Sequence, residues 1–148
     1  MPRRRLALPR QTGEPISIRL SMATDQLVAA EAKRTRRSKS AVVSAFTEET
    51  ARTRRFPGIG FRGDDAARRA WVIGSGLDVW EVIEMFEDSG SVERLVVDTH
   101  LTERQIRLAL AYRDAYPVEI ADAVAENRRS PEELKILYPF IELADKRP

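Results

Sequence analysis

Residues 15–21 read Pro-Ile-Ser-Ile-Arg-Leu-Ser, PISIRLS, and alternate apolar and polar side chains as a half-buried strand does. Ile16, Ile18 and Leu20 fall on one face and Ser17, Arg19 and Ser21 on the other. No second strand-like run occurs in the next 35 or so residues, so the backbone donors and acceptors of this strand need a partner from outside the stretch.

The sequence after Ser21 is helix-forming. MATDQLVAAEAKRTRR holds good helix formers, with Ser21 placed to cap its start and Val28 and Ala32 four apart beside Leu27. Ser38 or Ser40 caps a second helix, SAVVSAFTEETARTRR, striped by Val42 and Phe46 and ended by Pro57 and Gly58. One strand and two short helices bury too little apolar area to fold alone. Two copies solve this: antiparallel strands satisfy each other and lay their apolar faces on four helices.

The alternating ISIRLS, the 17-residue spacing from Ser21 to SKSAVV, and SKSAVV opening the second helix resemble the ribbon-helix-helix DNA-binding family of the Arc and MetJ kind. The resemblance covers residues 16–55. Where the family usually has a glycine after the first helix, this chain has Arg36, so that helix is expected to close in another way. The resemblance implies a homodimer on double-stranded DNA, with Ser17, Arg19 and Ser21 entering the major groove, where Arg19 donates two parallel hydrogen bonds to guanine. Ser38, Lys39 and Ser40, flanked by Arg36 and Arg37, would hold phosphate at a helix N-terminus. The arginines at 3, 4, 5 and 10 read either as an arm adding salt-sensitive attraction to DNA or as a solubilising tail.

The net charge of +2 conceals an asymmetry: residues 1–55 carry +8 and residues 56–148 carry −6. A basic block joined to an acidic one predicts two tasks, a polyanion for the first and a different partner for the second. In the second block, residues 56–61 and 69–73 read as a short hairpin with Gly74 and Gly76 forming its exit turn. Helices are predicted from Asp78, striped by Val79, Val82, Ile83 and Phe86, and over residues 91–97. Another begins at a capping box of Thr102 and Gln105, with Ile106, Ala109, Leu110 and Arg113 on one face, and a fourth begins at Pro117. The expected fold class is mainly α: an intermolecular ribbon-helix-helix, then a short β-hairpin and a small helix-turn-helix-like domain.

GSG at 74–76, VWEVI from Val79 and LTERQIRLALAY from Leu101 resemble a small helical domain that recurs in bacterial antitoxins paired with PIN-type nuclease toxins. That resemblance covers residues 56–116. The family's turn carries threonine and arginine where this chain has Ser75 and Gly76. Arg104 and Arg107, three apart on one helix face, read as a second DNA contact or as part of a partner-binding platform; the acidity of the block weighs against DNA.

The domains expected are therefore an arm at 1–15, a DNA-binding module at 16–55, a helical domain at 56–129 and a tail at 130–148. The tail starts with a second capping box, Ser130 and Glu133 around Pro131, and packs Tyr138, Phe140, Ile141 and Leu143 close together. Such a tail either folds back or anchors a second protein. The antitoxin resemblance implies the anchor, with Arg128 and Arg129 near the acidic site of the nuclease.

Enzyme chemistry is not expected. The chain has one histidine, His100, no cysteine and no phosphate-loop or dinucleotide fingerprint, so the usual nucleophile pairs and zinc sites are missing. Glu81, Glu84 and Asp88 share a helix face that amphipathicity explains without a metal, and no cofactor is expected. No apolar run long enough for a signal or a membrane span is seen, which predicts a cytoplasmic protein. The expected function is a toxin-neutralising antitoxin that represses its own promoter; the alternative is a free-standing repressor with no toxin.

Overall fold

A computed structural model describes residues 13–64 and 68–141; the arginines at 3, 4, 5 and 10 and Leu143 lie outside the described residues. The described chain is mainly helical, with one small two-stranded antiparallel hairpin. It forms two compact units, Met1–Val42 and Val43–Pro148. The division falls inside a helix, α2 (Lys39–Arg55). The reason is that Arg52, in the last turn of α2, hydrogen-bonds to Tyr112 and Glu119, so this end of the helix belongs to the second unit.

In the first unit, residues 13–21 carry no regular secondary structure, and the strand expected there is not hydrogen-bonded within the single chain. A strand exists through its ladder, and the only ladder among the described residues lies in the other unit. Ile16, Ile18 and Leu20 are left 82%, 52% and 36% exposed.

Helix α1 (Met22–Thr35) starts as its sequence dictates: Ser21 is extended and its hydroxyl accepts the Thr24 N–H at 3.2 Å. Val28 and Ala32, four apart, are buried, while Leu27 stays exposed. The end of α1 departs from expectation. Arg36 itself adopts the left-handed conformation (φ 54°, ψ 40°) that a glycine would adopt without strain, and the Arg37 N–H closes the turn on the Ala32 carbonyl at 3.0 Å. A side chain held there costs about 1–2 kcal/mol, of which glycine recovers most, less its own entropic cost. Arg36→Gly is therefore expected to raise stability by about 1 kcal/mol, read as a higher urea midpoint at unchanged m-value. An unmoved midpoint would show that the strain is absent.

In the second unit the hairpin pairs β1 (Ile59–Arg62) with β2 (Arg69–Val72), Ile59 opposite Val72 and Arg62 opposite Arg69. Alternation along β2 buries Ala70 and Val72, the side of the pleat that faces the core. The exit turn uses Gly74 (φ 84°) and Gly76 (φ 75°), conformations that favour glycine. Between them the Ser75 hydroxyl donates to the Val72 carbonyl at 2.7 Å and accepts the Leu77 N–H at 3.0 Å.

Five helices complete this unit: α3 (Val79–Ser89), α4 (Val92–Asp98), α5 (Glu103–Ala115), α6 (Pro117–Asn127) and α7 (Pro131–Leu137). Their starts fall where the sequence places them: Asp78, Ser91, Thr102 and Ser130 stand at the N-caps of α3, α4, α5 and α7, and Pro117 is the first residue of α6. The core joins Ile59 and Val72 of the hairpin to Val79, Val82 and Ile83 of α3 and to Ile106 and Ala109 of α5. The inner face of α5 differs from the expected one. Tyr112 is wholly buried, whereas Leu110 and Arg113 are only half-buried. The face turns because Tyr112 completes an aromatic cluster, edge-on to Phe56 at 5.4 Å and beside Tyr116 at 4.8 Å.

Candidate nucleic-acid and partner interfaces

Ser17 and Arg19 are exposed, and Arg19 has no ion-pair partner among the described residues. Ser21 is committed differently: besides capping α1, its hydroxyl bonds to that of Thr24 at 2.9 Å. Of the three residues expected to read bases, two are thus exposed side chains without a partner among the described residues and one is a structural cap.

The start of α2 is likewise mixed. Ser38, not Ser40, caps it, accepting the Ala41 N–H at 3.1 Å, and the Val42 N–H bonds to the Ser38 carbonyl. The N–H groups of Lys39 and Ser40 have no acceptor within the helix, because a helix cannot supply one to its first turn. The Lys39 ammonium is paired with Asp25 of α1, and Arg37 bonds to the Ala41 carbonyl at 3.2 Å. Arg36 forms the C-cap of α1 with its side chain exposed.

In the second unit, Arg107 forms an exposed i,i+4 pair with Glu103 at 2.6 Å, which leaves Arg104, among the described residues, as the unpaired cation of that face. Arg104 borders two adjoining depressions of about 780 and 610 Å³ that share Pro57, Thr102, Arg104 and Leu108. The surface is apolar for most of its extent; Ile73, at the edge of the second depression, is 49% exposed. Gly58 (φ 110°) permits this shape, since a Cβ there would meet Leu108 Cδ2 at 2.8 Å.

The arginines assigned to a toxin are paired internally. Arg128 bonds to Glu84 at 2.8 Å and approaches Glu87 at 3.6 Å; the Glu84 hydrogen bond above all raises its pKa. Arg129 pairs with Glu126 at 2.5 Å. These contacts also account for part of the acidic face of α3, as Glu81 accepts the Asp78 N–H at 2.7 Å and Glu84 takes Arg128 and Asn127. In the tail, Ile136, Leu137, Tyr138 and Phe140 are 79%, 49%, 45% and 82% exposed, and Ile141 is half-buried. His100 is exposed, its Nε2 2.9 Å from the Ser75 carbonyl.

Two arrangements have no counterpart in the sequence reading. In the first, Asp78, only 4% exposed, takes Arg62 Nε at 2.6 Å and Arg69 Nε at 2.9 Å, pinning both strands of the hairpin to the start of α3. In the second, Arg52 donates to Tyr112 Oη at 2.8 Å and Glu119 at 2.6 Å, Tyr112 Oη donates to Glu119 at 2.9 Å, and the guanidinium lies 3.9 Å from the Tyr116 ring centre. Burial works against the Arg52 charge, but hydrogen bonds to Glu119, Glu48 and Tyr112 outweigh it and the net shift is upward. Partners 60 residues apart leave no local pattern to find.

Burial is also the main cause that pushes the Tyr112 phenol well above its ordinary pKa. Above pH about 10 the unfolded chain loses this proton while the folded one keeps it, so folding stability is complete below that pH and falls as pH rises further. Tyr112→Phe is expected to lower neutral-pH stability by about 1–2 kcal/mol through the lost hydroxyl bonds and to flatten the alkaline fall. Urea titrations of both proteins between pH values of about 7 and 11 check this; parallel pH profiles would contradict it.

No protein-family model matches the chain, and neither a curated protein nor a solved structure does. No helix among the described residues is long and apolar enough to cross a membrane.

Proposed function

We propose that the chain is a dimeric DNA-binding antitoxin of the bacterial cytoplasm, which represses its own promoter through an intermolecular ribbon and neutralises a PIN-type nuclease through its C-terminal unit. The observation that carries this reading is the stretch before α1. Ile16, Ile18 and Leu20 recur on alternate residues, lie exposed, and lead without interruption into a Ser21-capped helix, a left-handed turn and a second capped helix. Exposed apolar alternation with an unpaired backbone is what a second identical strand would cover.

Paired strands would present Ser17 and Arg19 from each copy to base edges, with Ser21 as the hinge into α1. The first turns of the two α2 helices, with their free Lys39 and Ser40 N–H groups, would straddle the site on phosphates. For Lys39 to join them, its ammonium must leave Asp25, an exposed pair of small net worth. The +8 charge of residues 1–55 supports a polyanionic partner, and the −6 charge of the remainder supports a separate one.

The exposed apolar side chains of α7 and the residues after it support the anchor role of the tail. Arg128 would reach a nuclease only by exchanging Glu84 for another carboxylate. The decisive experiment is co-expression with the product of the adjacent gene, using the full chain and a Tyr138→Ala/Phe140→Ala variant, followed by purification and a ribonuclease assay. A nuclease held inactive by the full chain and released by the variant supports the antitoxin and its tail anchor. If no nuclease copurifies, the repressor without a toxin replaces this reading.

A further inference from the structure

Among the described residues the apolar groove beside α5 and the apolar side chains of the tail both lie uncovered, and their charges are complementary. Pro57, Ile73 and Leu108 line the groove and Arg104, which has no acidic partner among the described residues, stands at its rim. In the tail, Glu133 is engaged by its own helix start, accepting the Ser130 N–H at 2.9 Å, whereas the neighbouring Glu132 is exposed. One helical turn beyond Glu132 comes Ile136, and then Tyr138 and Phe140. An acidic residue ahead of a short apolar run is the segment that a cation-rimmed apolar groove accepts.

We propose that the tail of one copy docks in this groove on a second copy, with Glu132 against the partner's Arg104 and Ile136 and Phe140 on the apolar floor. A second copy is the occupant for two reasons. Ile136, Leu137, Tyr138 and Phe140 of the tail lie exposed among the described residues of their own chain, and the proposed ribbon dimer, on which this second reason rests, already supplies another groove at high effective concentration. Burying an aromatic removes about 150–250 Å² from water, so reciprocal docking of Tyr138, Phe140 and their aliphatic neighbours reaches the roughly 1,000 Å² that a specific interface needs. This docking needs no nuclease; where one takes the tail, it must first displace it from the groove.

The chain contains no cysteine, so introduced thiols report on this contact alone. Full-length Ile73→Cys and Phe140→Cys chains carrying tags of different size are mixed, oxidised gently and run on a non-reducing gel. The expected product is the mixed disulfide, formed in preference to either self-pair. Arg104→Glu should lower its yield about threefold, the effect of an exposed ion pair, and Glu132→Arg added to the other chain should restore it. Absence of the mixed product overturns the proposal. So does a double-cysteine chain that closes on itself while the single-cysteine mixture gives nothing, because the tail then docks on its own chain. Loss of the ribbon dimer in a parallel Leu20→Asp variant, with the mixed disulfide retained at high protein concentration, would separate this interface from the DNA-binding reading.

Discussion

Asp78→Ala is expected to destabilise the Val43–Pro148 unit by about 2–3 kcal/mol, the largest stability effect of any single polar substitution in it. The carboxylate is nearly inaccessible and holds Arg62 and Arg69, one from each strand, at 2.6 and 2.9 Å. Removing one member of a fully buried pair costs about 3–5 kcal/mol because the other charge is stranded. Here both arginines keep contact with water, at 39% and 59% exposure, so the cost falls below that range. Arg62→Ala and Arg69→Ala should each cost less than the aspartate change, because the other arginine remains to compensate the carboxylate. Urea unfolding of the three variants checks the order. An aspartate variant no weaker than the arginine variants would mean that the hairpin is held by its apolar side alone.

On the proposed reading, Arg19→Ala is expected to cut the preference for promoter over unrelated DNA sharply while leaving the dimer intact. A bidentate arginine–guanine contact is worth about 1–3 kcal/mol, and a two-fold dimer uses it twice, so the affinity ratio between promoter and unrelated DNA should fall by about 2–6 kcal/mol. Non-specific binding should change little, since it comes from total positive charge and disappears steeply with salt. Gel shifts at two salt concentrations, with sedimentation to follow the dimer, separate these effects. If Arg19→Ala loses promoter and unrelated DNA equally, its role is phosphate attraction; if it loses neither, the ribbon serves dimerisation alone.

Local features of this chain were legible without the tertiary structure. The helix starts at Ser21, Ser91, Thr102 and Ser130 each depend on one side-chain oxygen and the N–H three residues ahead. The apolar stripes of α1 and α3 were visible for the same reason, as neighbours in a helix are neighbours in sequence. The end of α1 was only half legible. Glycine is absent at Arg36, yet the chain closes the turn in the left-handed conformation anyway, because the Ala32 and Lys33 carbonyls still need donors.

The candidate sites were legible as residue types and not as states. Arg19 and Arg104 lie free among the described residues, whereas Lys39, Arg107, Arg128 and Arg129, equally conspicuous in the sequence, are each paired with a carboxylate. A sequence shows that a cation is present, but whether it is available depends on which carboxylate the fold brings near.

By itself the sequence determined where the helices start, the hairpin and its glycine turn, and the opposite charges of the two halves. Those properties depend on a few neighbouring residues and on composition. Only the tertiary structure decided that α2 is shared between units, that α5 turns Tyr112 inward, that Asp78 gathers two arginines, and that Pro57, Ile73 and Leu108 form a groove under Arg104. Each of these joins residues distant in the chain, and burial and charge pairing are set by such meetings rather than by local preference.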